Sequence, residues 1–181
     1  ARPLLLGVQR LQAPCVAQDI TGVMSTNPTT AASQARAAAA DAVAQAKRFG
    51  LAAGSVVHYD IENYSMGNTV CTTAVLAFVT AWTDEVRRLG YAAGVYGNTG
   101  SLMADMSRRV AAGDATFHAP DQVWFARWDG VQTTSAAAAT PEFKDSYWSN
   151  HQRLKQYRGD FAETWGGVRI AIDGNWVDTT L

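Results

Sequence analysis

The alternation of short apolar runs with longer helix-like stretches constrains this chain most, because it is the pattern of repeated βα units around a parallel sheet. Residues 4–8 read as a first strand, followed by a polar loop over 9–30. Residues 31–49 are Ala-rich, carry Asp41 and Lys47 and stop at Gly50, which predicts a helix closed by a glycine. A second strand is expected at 56–61. Residues 70–89 place Val75, Phe78, Val79, Trp82 and Val86 at helical spacing before Gly90. Further strands are expected at 92–96 and 123–128, with a shorter helix at 101–110 between them. Two short strands, 154–157 and 168–172, close the pattern across a Gly-rich turn at Gly166-Gly167. The low-complexity stretch 133–140 reads as a surface loop.

With 181 residues and 48% hydrophobic content, the chain is long enough for one substantial core and too short for two ordinary domains. A single domain over 1–181 is therefore expected. The net charge is −1 and the basic residues are scattered, which argues against a nucleic-acid or anionic-membrane surface. No apolar run approaches the roughly 20 residues that span a bilayer. Cys15 and Cys71 fit neither a zinc site nor a Cys-x-x-Cys motif. Two readings of them stay open: a disulfide closing a loop of more than fifty residues in an oxidising compartment, or two buried free thiols.

The strand at 56–61 runs into Asp60-Ile61-Glu62. Residues two apart on a strand share a face, roughly 6–7 Å apart along it, so the two carboxyl groups point the same way. In a cleft, a carboxyl pair with one member protonated and one ionised suits glycosidic bond cleavage. That spacing lies between the retaining and inverting ranges and leaves the stereochemistry open. Other polar residues also gather at strand ends: Gln9, Tyr96 and Asn98, Arg127 and Trp128, Gln156, and Asp173 with Asn175. The carboxyl ends of parallel strands form the ligand face in α/β architectures, so this bias is directional. His58 shares the face of the acidic pair but lies deeper, where a packed core histidine is the expectation. His118 and His151 fall in loops without ligand spacing.

Taken in order, Tyr59-Asp60-Ile61-Glu62-Asn63-Tyr64, Ala77-Phe78 with Trp82, Gly90-Tyr91, Gly94-Val95-Tyr96, Trp124-Phe125-Ala126-Arg127-Trp128-Asp129, Gln156-Tyr157 and Ile172-Asp173-Gly174-Asn175 resemble a known family. It is the Rv2525c-like glycoside-hydrolase-like domains of actinobacteria, related to the family 25 lysozymes. The resemblance implies an α/β fold of (β/α)8 TIM-barrel type. It implies Glu62 as general acid and Asp60 as its assistant, with Asp173 and Gln156 as polar residues at later strand ends. Tyr96 and Trp128 would contact sugar, and Gln9, Tyr64, Asn98, Arg127 and Asn175 complete the implied substrate-binding set. Neither metal nor cofactor is implied.

Family members begin with a strand bearing an Asp, a helix and a second strand, and nothing before Leu4 supplies them. On that reading the chain holds strands three to eight of the barrel, short of the 250 residues or so usual for one. A missing N-terminal segment would then complete it. The function implied is cleavage of peptidoglycan or a related cell-wall glycan by a secreted or envelope protein. A rival reading is a non-catalytic glycan-binding or envelope-associated domain on a degenerate hydrolase barrel. A third, weaker reading is a divalent-metal enzyme using Asp60, Glu62 and Asp173.

Overall fold

Two asparagines start the long helices. In the computed structural model, which describes residues 5–6, 11–16, 22–135 and 140–179, Asn27 accepts a hydrogen bond from Thr30 N and precedes α1 (Pro28–Arg48). Asn68 accepts from Val70 N and Cys71 N and opens α2 (Thr69–Arg88). Both caps satisfy amide groups that the first helical turn leaves without partners. Lys47 and Arg48 end one helix and Arg87 and Arg88 the other, where the helix dipole favours cations. Gly50 and Gly90 then take positive φ, as glycine does past a helix end.

The buried stripe of α1 is almost wholly alanine: Ala31, Ala35, Ala39, Ala42 and Ala46, with Val43. Small side chains let α1 lie close against α2. The latter carries the bulk of the helix layer, with Val75, Phe78, Val79, Trp82 and Val86 all fully buried. Phe78 and Trp82 meet Tyr59 of the sheet at ring-centroid distances of 4.7 and 5.0 Å. Burial of such side chains stabilises by roughly 1.5–3 kcal/mol each.

The strands β1 (Leu5–Leu6), β2 (Val56–Ile61), β3 (Ala92–Asn98), β4 (Gln122–Ala126), β5 (Gln152–Trp165) and β6 (Val168–Thr179) form one sheet in sequence order. β1 to β5 pair in parallel. A π-helical turn (Thr99–Met103) leads into α3 (Ala104–Ala111) between β3 and β4. The alternation expected from the sequence is therefore present for the first four strands, each step crossing through one helix.

The (β/α)8 barrel expectation fails at the last two strands. β5 and β6 pair antiparallel, and among the described residues no helix joins β4 to β5. The reason is local. Gly166 and Gly167 both take positive φ, +55° and +84°, which makes a two-residue hairpin turn that returns the chain beside itself. A parallel return would have needed a crossover of a dozen or more residues. The two final strands are also far longer than expected, reaching past the rest of the sheet as a hairpin.

In place of a helix between β4 and β5, Arg153 organises the loop. Its buried guanidinium donates to the carbonyls of Thr134, Lys144 and Tyr147 and to Asp145, and stacks over Phe143 at 4.7 Å. Residues 136–139 of the low-complexity stretch lie outside the described residues. No helix among the described residues is long and apolar enough to cross a membrane.

Candidate active site

The helices cover one face of the sheet, and the strand period of two sends alternate side chains to the other. Val57, Tyr59 and Ile61 of β2 pack in the core, so His58, Asp60 and Glu62 share the opposite face. The register places Asp60 beside Tyr96, Tyr96 beside Trp124, Ala126 beside Gln156 and Gln156 beside Asn175. The polar strand ends scattered over more than a hundred residues of sequence thus form one row.

Asp60, Glu62, Tyr96, Trp124, Gln156, Asp173 and Asn175 line a cavity of about 210 Å³. Glu62 and Tyr96 also border a second cavity of about 450 Å³, whose walls include Asn98, Arg127 and Trp128. Glu62 therefore stands where the two meet. Asp60 is buried at 7% exposure, whereas Glu62 is half-buried.

A hydrogen-bond chain fixes the floor. Asp173 accepts from Gln156 Nε2 at 2.8 Å and from the Asp160 amide at 3.1 Å. With its amide nitrogen so engaged, Gln156 presents Oε1 to two donors, Tyr96 Oη at 2.9 Å and Trp128 Nε1 at 2.7 Å. Burial, and then the neighbouring Glu62, Asp60 and Asp173 carboxyl groups, push the Tyr96 hydroxyl well above the ordinary phenol range. It stays a neutral donor. Trp124 Nε1 donates to Asn175 at 2.9 Å, tying β4 to β6.

Trp128 is 61% exposed yet held in place. Its indole rests on Gly159, where an added Cβ would lie 2.2 Å from Cζ2. A bare glycine backbone and one hydrogen bond therefore hold a flat aromatic surface at the cavity rim.

Tyr64 is not brought to this cleft. It is 2% exposed and donates to Asp105 Oδ2 at 2.8 Å, an acceptor shared with Thr72 and flanked by Arg108. Gln9 lies outside the described residues. His58 is fully buried beneath the acidic pair, with neither ring nitrogen hydrogen-bonded. His118 and His151 sit at the surface against Asp84 and Asp178. Cys15 and Cys71 are free thiols in hydrogen-bonding contact. Burial, and then that bond, push the Cys71 thiol up to about 12. Among the described residues no group of three or more His, Cys, Asp or Glu side chains is placed to hold a metal ion, so Asp60, Glu62 and Asp173 do not form one.

Two members of the site escaped the sequence reading. Gln12 donates to the Asp60 carbonyl at 3.1 Å and accepts from the Glu62 amide at 2.8 Å, clamping the backbone that carries both acids. Nothing periodic marks it in its polar loop. Trp124 did carry a signal, since it alternates with the buried Val123 and Phe125 and so had to face the cleft.

Residues 11–177 match the model of the Rv2525c-like, glycoside hydrolase-like domain. The chain belongs to this family. No curated protein matches the sequence. Two solved structures share the fold of this Rv2525c-like domain. An uncharacterized B. stearothermophilus protein has a TM-score of 0.50 at 15% identity, over 93% of this chain and 82% of that one. The Clostridium perfringens spore cortex lytic enzyme SleM has a TM-score of 0.56 at 15% identity, over 86% of this chain. The Rv2525c-like domain spans 47% of the SleM chain.

Proposed function

We propose that this domain cleaves a glycosidic bond in peptidoglycan or a related cell-wall glycan, acting outside the cytoplasm. The observation that carries the reading is the position of Glu62. It stands between an acidic inner cavity and an outer one walled by an exposed, immobilised tryptophan. A sugar ring stacked on Trp128 directs its next linkage toward Glu62, and aromatic faces suit the apolar faces of sugars.

In this mechanism Glu62 protonates the leaving oxygen as the bond breaks. Asp60, deeper and aligned along the same strand, stabilises the positive charge that develops on the ring or orients a substrate N-acetyl group for internal attack. Gln12 keeps the two acids in register by bonding the backbone at both. Asp173 acts through Gln156, fixing the amide that in turn fixes Tyr96 and Trp128. Asn98 and Asn175 supply neutral donors and acceptors for sugar hydroxyls.

The test is digestion of fluorescently labelled cell-wall glycan by the wild type, Glu62→Gln and Asp60→Asn. Soluble fragments should appear with the wild type and vanish with Glu62→Gln while the circular dichroism spectrum is kept. Undiminished release by Glu62→Gln would refute the assignment. Tight glycan binding with no release by the wild type over long incubation would favour a glycan-binding domain instead.

A further inference from the structure

The charge balance beside Trp128 carries a statement about substrate. Arg127 donates through Nε to Asp129 Oδ2 at 2.7 Å. The other oxygen of Asp129 is already taken by Lys155 Nζ at 2.7 Å and the Val131 amide at 2.9 Å. Lys155 is 1% exposed, and a buried ammonium requires its counter-ion, so the charge of Asp129 is committed inward. Burial raises the Asp129 carboxyl, but the bonds from Lys155, Val131 and Arg127 outweigh it and hold it down to about 2. It is ionised throughout the working range. Two cations thus share one carboxylate, and the surplus positive charge sits on Arg127. Its side chain is 28% exposed, the residue borders the outer cavity, and its Nη atoms meet no acceptor among the described residues.

We propose that the Arg127–Trp128 end of the cleft selects a sugar bearing a free carboxylate, with Arg127 as the residue that sets the preference. This rests on the glycan reading of the site given above. A planar carboxylate matches the free edge of a guanidinium, while a neutral or amidated sugar leaves it without a charged partner. Trp128 and Arg127 border the same cavity, so a ring stacked on Trp128 sits in the cavity that Arg127 borders. Asp60 and Asp173 line only the inner cavity, which repels a second anion. The ligand is therefore a glycan in which acidic units alternate with neutral ones, not a uniform polyanion. The carboxylate can belong to a lactyl ether freed of peptide or to a uronic acid.

Calorimetry on the full chain carrying Glu62→Gln, which prevents turnover, tests this with three tetrasaccharides. One bears free lactyl carboxylates on alternate amino sugars, the second is its methylamide, and the third carries uronates at the alternate positions. At low salt at least one acidic form should bind about tenfold more tightly than the methylamide, the scale of one charge-assisted pair. Whichever acid binds tighter identifies the source of the carboxylate. Adding Arg127→Met should bring the acid-to-amide ratio close to one, and Arg127→Lys should leave an intermediate ratio. Because a ratio is read, a general weakening cancels. Equal affinity for acid and amide, or a ratio that survives Arg127→Met, overturns the inference and leaves the glycan reading standing. Failure of all three to bind overturns both.

Discussion

Replacing His58 by leucine should flatten the acid limb of the domain's stability. The imidazole lies wholly inside the protein on β2, with no hydrogen bond to either nitrogen. Gly94 faces it so closely that a Cβ there would come within 2.4 Å of its Cδ2, and the Trp124 ring meets it edge-on at 6.0 Å. Nothing in that environment solvates a proton, and burial lowers the pKa from 6.5 to about 3. Between those values the unfolded chain binds a proton that the folded chain refuses. Stability from this group is complete above the unfolded pKa and is lost as pH falls from 6.5 toward 3. Between about pH 7.5 and about pH 5 the loss is about 2 kcal/mol, a sizeable part of the 5–15 kcal/mol typical of a domain. Urea unfolding at the two pH values, for wild type and His58→Leu, reads the difference directly. The comparison isolates His58, because every other residue is the same in both proteins. The variant should lose about 2 kcal/mol less than the wild type on acidification. An equal loss in both would refute the reasoning, showing that the buried ring is either solvated or protonated in the folded state.

Other consequences follow from the same geometry. Gly159→Ala should push the indole of Trp128 off its seat and away from Gln156, weakening glycan binding by roughly three- to tenfold, the scale of one stacking contact; calorimetry with a neutral oligosaccharide reads it. Tyr64→Phe removes one of the donors to the buried Asp105 and should cost about 2 kcal/mol in urea unfolding, whereas unchanged stability would mean the hydroxyl is not engaged. Under oxidised glutathione, Cys15 and Cys71 should join: two thiols give one disulfide and two protons, and the two electrons reduce the reagent to two thiols. Intact mass should show the loss of two hydrogens, Cys71→Ser should abolish it, and in the chain-entropy model closing the loop stabilises by about 4 kcal/mol.

The parallel part of the fold was legible because each βα unit writes its own signature. Apolar strands alternate with helix-like stretches, and Gly50 and Gly90 mark the ends of the first two helices. The turn that reverses the chain was legible too, since Gly166-Gly167 stands between the last two strands. The barrel was expected from family resemblance and outweighed that local signal, and here local turn chemistry decides the pairing. Within the site, the acidic pair and the aromatic and amide residues at strand ends could be read because a period of two fixes the face. Tyr64 could not be placed that way, as it lies past the end of β2, where the strand period no longer holds. Gln12 was invisible for a related reason. Its partners are about fifty residues away, and a loop glutamine carries no pattern that would reveal them.

The central claim is that Glu62 protonates a glycosidic oxygen in a cell-wall glycan. The most direct measurement is digestion of purified cell-wall glycan in water enriched in heavy oxygen, followed by mass spectrometry of the fragments. The wild type should release fragments whose new reducing ends carry the heavy isotope, and Glu62→Gln should release none. Labelled reducing ends from Glu62→Gln at the wild-type rate, or wild-type fragments labelled only at a carboxyl group released from a peptide bond, would contradict it.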